Sequence, residues 1–241
     1  MKMDFSTRLI AIVGGSGAGK TWLADRLQQA CGNDAGRLSL DDFYRDRSHL
    51  SPARRAALNY DHPRAIDWPL VEQVLRDCRA GRATRLPRYN FANHTRLHQQ
   101  EEWVPTSVVL VDGLWLLWRA SLRELFDLRI FLTCATQLRL ERRLARDTAE
   151  RSRSPESVRE QFWRTVVPMH NRHVAPQARW ADVVVTQLSG EKEIQQLLEL
   201  MRAPQAGADG GARRKTFRPV WLAASHLETS FGAQAQPIRA H

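Results

Sequence analysis

Apolar residues along this chain gather in short unbroken runs, and the stretches between the runs repeat with helical spacing. The runs are Leu9 to Val13, Val108 to Val111, Leu128 to Leu132 and Val183 to Val185, with a shorter one at Arg37 to Leu40. Continuous aliphatic runs without polar alternation are what strands covered on both faces require. Between them the spacing predicts helices at Thr21–Ala30, Thr136–Arg146, Ser154–Val166 and Glu191–Met201. Strand and helix in alternation predict a parallel sheet flanked by helices, an α/β fold. Ser154, Pro155 and Glu156 read as N-cap, first-position proline and first-turn acid, while Pro168 predicts an end or a break of that helix.

Two segments depart from the alternation. Residues 44–104 are polar, arginine-rich and punctuated by proline, which predicts an insertion carrying substrate contacts. Within it the pattern predicts a helix at Pro69–Ala80 and one small ribbon built from Thr84–Phe91 and Glu102–Val104. After Ala203 periodicity disappears, so residues 204–241 read as a flexible tail and 1–203 as the folded domain.

Charge narrows the partners. The chain has 241 residues, and 36 Lys+Arg against 26 Asp+Glu give a net +10, a balance that favours nucleotides, nucleic acid or phosphorylated substrates. No apolar run approaches the roughly 20 residues of a bilayer crossing, and the opening residues lack signal-peptide organisation, so no membrane partner and a cytoplasmic location are expected. Cys31, Cys78 and Cys134 have neither disulfide nor zinc spacing. The arginines cluster rather than form a sequence-reading motif, and the eight tryptophans are scattered, so no nucleic-acid partner is expected.

Four motifs carry chemistry. Gly14-Gly15-Ser16-Gly17-Ala18-Gly19-Lys20-Thr21 has the G-x-x-x-x-G-K-[ST] spacing between a strand and a helix. Backbone N–H groups of such a loop face phosphates, the lysine adds a mobile cation, and the hydroxyl is offered to Mg²⁺, so the loop predicts a bound nucleoside triphosphate. Asp41 and Asp42 follow a predicted strand, where either carboxylate can orient an acceptor hydroxyl or simply cap a turn. Asp112, ending the run Val108 to Val111, has the placement of a magnesium-holding acid, although any strand followed by Asp-Gly looks alike. Arg139, Arg142, Arg143, Arg146, Arg151 and Arg153 crowd one stretch; Arg142 and Arg143 share a helical face with Arg146, which predicts a phosphate-clamping lid over about 142–156 rather than a solvated face.

In their order along the chain these motifs resemble the uridine kinase (uridine–cytidine kinase) family, in the wider group that includes phosphoribulokinase. The resemblance spans Ile10 to Val185 and rests on GGSGAGKT at Gly14, SLDDFY at Ser39, NYDHPRAIDW at Asn59, PRYNFANHTR at Pro87, VVLVDGLWLL at Val108, LFDLRIFL at Leu125, RRLARDTAERSRS at Arg142 and EQFWRTVVPMH at Glu160. It implies a P-loop NTPase-type sheet with a nucleoside-binding insertion and an arginine lid. It also implies transfer of the γ-phosphoryl group of ATP or GTP, with Mg²⁺, to the 5′-hydroxyl of uridine or cytidine. The related acceptors it leaves open are nicotinamide riboside, pantothenate and sugar phosphates.

Residue by residue, the resemblance implies Asp41 as the base and a metal neighbour, with Lys20, Arg146, Arg151 and Arg153 as its catalytic companions. It makes Tyr44, Asp61, Tyr89, Phe91, His94, Arg143, Arg146, Arg151, Arg153 and Gln161 nucleoside contacts, and Thr21 and Asp112 metal contacts. The family usually has glutamate at the position of Asp112, so a water-mediated metal contact is expected there, and often glycine at the position of Ser152. A homo-oligomer, a tetramer, is implied by the resemblance alone. Mechanistically, the aspartate and the glycine loop are expected at the tips of neighbouring strands.

Overall fold

Residues Arg8–Gly14, all buried but the first, form β1, whose side chains alternate between two apolar layers. The computed structural model describes residues 7–97, 99–186 and 190–203, and the backbone alone of 220–222. After β1 come α1 (Lys20–Cys31), β2 (Ala35–Ser39), α2 (Pro52–Ala56), α3 (Trp68–Arg79), β3 (Thr84–Leu86), β4 (Tyr89–Asn90), β5 (Thr95–Arg96) and β6 (Glu101–Trp103). They are followed by β7 (Val108–Gly113), α4 (Ala120–Arg123), β8 (Leu128–Leu132), α5 (Thr136–Glu150), α6 (Pro155–Gln161), α7 (Val167–Met169), β9 (Val183–Val185), α8 (Glu191–Arg202) and β10 (Val220–Leu222).

The main sheet has the order β10-β9-β8-β1-β7-β2, and every pairing is parallel. Leu9, Ala11 and Val13 face a layer containing α3 and residues Trp115 to Phe126; Ile10 and Ile12 face Leu23 and Leu27 of α1 and Ile194, Leu197 and Leu198 of α8. Two covered faces explain why the strands read as continuous apolar runs. In such sheets the carboxyl ends of the strands gather ligands, and here that edge bears Gly14, Ser39 and Gly113.

The α/β class stands, with five corrections of detail. β2 starts two residues earlier than expected and stops at Ser39, because the Ser39 hydroxyl accepts from the Asp41 N–H (3.3 Å) and starts a 3₁₀ turn over Leu40–Phe43. The expected single ribbon is two: β3 pairs with β6 and β4 with β5, Pro87 interrupting the ladder because it has no N–H to donate. α5 runs on to Glu150 and α6 begins at Pro155, so most of the expected lid is helix. Pro168 does not stop its helix: π-helical turns at Phe162–Val166 and His170–Val174 flank it, and the widened hydrogen bonding accommodates a residue without an N–H. The tail supplies β10, an edge strand pairing with β9, where no element was expected; residues 204–219 and 223–241 lie outside the described residues.

Candidate active site

The glycine loop wraps tightly because its neighbours leave no room for side chains. Gly17 holds φ +80°, and a Cβ there would stand 2.5 Å from the Arg139 carbonyl oxygen. A Cβ on Gly15 would collide with the Arg139 guanidinium and the His170 ring. Lys20 folds back to donate to the Gly15 carbonyl (3.1 Å). Burial pulls the Lys20 ammonium below the usual lysine value, while the charges of Asp41 and Asp112 oppose the shift. Thr21 lies in the first turn of α1 and is exposed.

The three acids of the sequence reading separate by environment. Asp112 is buried at the end of β7 and accepts from Arg37 Nε (3.1 Å); burial raises its pKa, and Arg37 and Lys20 counter that. Asp41 is half-buried, and its charge bears on Lys20, Asp112, Tyr44 and Asp61. Asp42 turns to the other side, 3.8 Å from Arg88 Nη1, and burial raises its pKa. The cap of the turn is Ser39, so neither aspartate is needed for that purpose. β7 lies between β1 and β2, so the strands leading to the loop and to Asp41 are not neighbours, contrary to expectation; Asp112 stands between them.

Facing this edge is an aromatic wall. Tyr44 packs at 5.1 Å from Tyr89, 6.4 Å from Phe91 and 5.8 Å from Tyr60, and its hydroxyl donates to the Tyr60 carbonyl (3.2 Å). His94, at φ +55° in the β4–β5 turn, stacks on Tyr60 with centroids 4.2 Å apart. Burial holds Tyr44 well above the usual phenol value and His94 below the usual imidazole value. Asp61 accepts from Thr165 Oγ1 (2.9 Å), and burial raises its pKa against the pull of Arg143.

The lid arginines converge on an acid. Asp147 is wholly buried and meets Arg143 (3.3 Å), Arg146 (2.8 Å), Arg151 (3.6 Å) and Arg153 (3.8 Å). Arg143 also donates to Ser16 Oγ of the glycine loop and to Gln161 Oε1 (both 2.9 Å), and Arg153 donates to the same Gln161 oxygen. Arg151 lies over the Phe91 ring at 5.1 Å, joining lid and aromatic wall. Arg142 diverges from the shared face expected of it, reaching the Gly17 carbonyl at 3.5 Å from an exposed position.

Among the described residues no cluster of three or more His, Cys, Asp or Glu could by itself hold a metal ion. The donors at this edge, the Thr21 hydroxyl and the carboxylates of Asp41 and Asp112, suit Mg²⁺ that takes its remaining ligands from phosphate and water.

The sequence pattern of the Phosphoribulokinase / Uridine kinase family matches residues 9–194. The chain belongs to that family. A uridine kinase of Staphylococcus haemolyticus is 38% identical over 188 residues, 78% of this chain and 91% of the relative. A uridine kinase of Staphylococcus carnosus is 40% identical over 188 residues, 78% and 90% of the two chains. Among solved structures, phosphoribulokinase from Rhodobacter spheroides superposes with a TM-score of 0.57 at 19% identity, covering 75% of this chain and 70% of its own, a likeness of fold.

Within this family member, contacts and electrostatic interactions link Lys20, Asp41, Tyr44, Asp61, Tyr89, Phe91, His94, Arg143, Arg146, Arg151, Arg153 and Gln161. Sequence reasoning passed over Tyr60, Thr165, Arg37 and Asp147. Tyr60 and Asp147 sit inside quoted motifs, yet nothing in a linear pattern shows that a ring stacks or that four cations share one acid. His170, packed beneath Gly15, was missed for the same reason, and Arg139, one of the clustered arginines of the sequence, packs there beside it. Burial, with the charges of Arg139 and Lys20, pushes His170 down to about 4.

Proposed function

We propose that the protein is a nucleoside kinase that transfers the γ-phosphoryl group of ATP to the 5′-hydroxyl of uridine or cytidine, giving UMP or CMP. The observation that carries this reading is the convergence of the Asp41, Lys20 and Asp112 charges beside the glycine loop, with the aromatic cluster of Tyr44, Tyr89 and Phe91 close to Asp41. In this reading the loop's N–H groups and Lys20 hold the triphosphate. Asp41 accepts the proton that the attacking hydroxyl loses. Tyr44, Tyr60, Tyr89 and Phe91 hold the base, with His94 at its edge, and Asp61 takes ribose hydroxyls.

Arg143, Arg146, Arg151 and Arg153 stabilise charge on the transferring group once they leave Asp147, and the closed lid excludes water. Thr21, with Asp41 and Asp112, would hold Mg²⁺, which supplies neutralisation of phosphate charge when bound. A folded kinase unit over 1–203, GTP as a second donor, a pyrimidine-salvage role in the cytoplasm and a homo-oligomer belong to the same reading. No helix among the described residues is long and apolar enough to cross a membrane.

A matrix of nucleosides against triphosphates, read as monophosphate formed, tests the substrates. Asp41→Ala is expected to lower turnover by about 10²- to 10⁴-fold. An unchanged rate removes Asp41 from the mechanism.

A further inference from the structure

A wide, open cavity of about 790 Å³ is lined by Arg45, Arg47, Arg64, Trp68, Trp118 and Arg119, and Arg47 also acts on Tyr60 and Tyr89 of the aromatic wall. Its volume falls within the roughly 300–1,000 Å³ of small-molecule sites. Among the described residues none of these four arginines makes an ion pair. The nearby acids bond chiefly to other groups, although Arg119 acts on the Glu72 charge and Ser121 lines the cavity. Glu72 accepts from Arg76 and Ser121, Asp46 from Ser48 and the Arg96 N–H, and Asp67 from Arg96. Four cations gathered without a close ion pair favour an anion there.

Two indoles give the cavity a second chemistry. Trp68 is fixed by its N–H donating to the Pro63 carbonyl (2.9 Å), and Arg119 stands 6.0 Å over its ring. Trp118 lies 5.8 Å from Trp68 and is 38% exposed, an apolar face open to solvent. An indole face stacks on any nucleobase, while guanidinium forks match phosphate oxygens.

We propose that this cavity is a second nucleotide site, taking a nucleoside triphosphate with its phosphates on Arg45, Arg47, Arg64 and Arg119 and its base on Trp118. A triphosphate brings about four negative charges, matching the four arginines. A second copy of the chain is a poor occupant, since a twofold contact near the axis sets guanidinium against guanidinium. A nucleic-acid strand needs an extended basic track rather than a single bowl. The inference goes beyond the kinase reading and does not depend on it.

Equilibrium binding of β,γ-imido ATP to the full chain tests it. The expected result is two bound per chain. The double variant Arg64→Ala/Arg119→Ala should keep one and weaken the other by at least about tenfold, with phosphorylation of uridine unchanged. Trp118→Ala should weaken the imido nucleotide at that site but leave inorganic tripolyphosphate binding as it was. One nucleotide per chain in the wild type, or two of undiminished affinity in the double variant, overturns the proposal. It is likewise overturned if the double substitution alters only self-association or oligonucleotide binding. Two sites in a protein that phosphorylates no nucleoside would uphold this site and reject the kinase reading.

Discussion

Asp147 gathers four guanidinium groups at a point where water does not reach. Taking away the charge while keeping the shape leaves Arg143, itself buried, facing three other cations. Asp147→Asn is therefore expected to cost about 3 kcal/mol of stability, measured by denaturant unfolding, and to raise KM for the triphosphate. A variant that melts with the wild type would show the arginines to be held by other contacts. Gly17→Ala is expected to abolish triphosphate binding in a calorimeter while the protein stays folded, because the new Cβ meets the Arg139 carbonyl at 2.5 Å and the +80° φ is strained for alanine. Of these two residues only the glycine was legible in the sequence, since its motif is local. Asp147 was hidden because counting charge along the chain says nothing about where four side chains turn.

From Pro155 to Val174 the chain is a continuous helical path with altered hydrogen bonding around Pro168. That path carries His170 under the glycine loop, where its Nδ1 is buried without a partner and its pKa lies near 4. The unfolded imidazole titrates near 6.5, so between that pH and about 4 only the unfolded chain gains the proton, and stability falls as pH falls. His170→Asn is expected to flatten this acid limb of a Tm-against-pH curve; an identical curve would mean that His170 does not stay neutral. At this scale periodicity placed α1, α3, α5, α6 and α8 within a few residues, because their apolar faces are regular. It failed at the ribbon and at Pro168, where a missing N–H can be answered in more than one way and only tertiary packing selects among them.

For the whole molecule, the candidate chemistry sits at β1, β7 and β2, while β10 pairs at the opposite edge of the sheet. Truncation after Ala203 is thus expected to leave turnover within about twofold of the full chain while lowering Tm through the lost edge pairing. A large loss of activity would give the tail a part in the reaction. Strand and helix alternation made the sheet readable from the sequence, but not its order, because the pairing of distant strands leaves no local trace. That order has a consequence for the range of acceptors such a scaffold can serve. With one strand between them, the supports of the proton acceptor and of the phosphate cradle are set roughly 10 Å apart by backbone ladder spacing. The sheet works as a ruler: remodelling the insertion can change which alcohol arrives, but the gap its oxygen must cross is fixed by peptide geometry and no side-chain substitution will retune it.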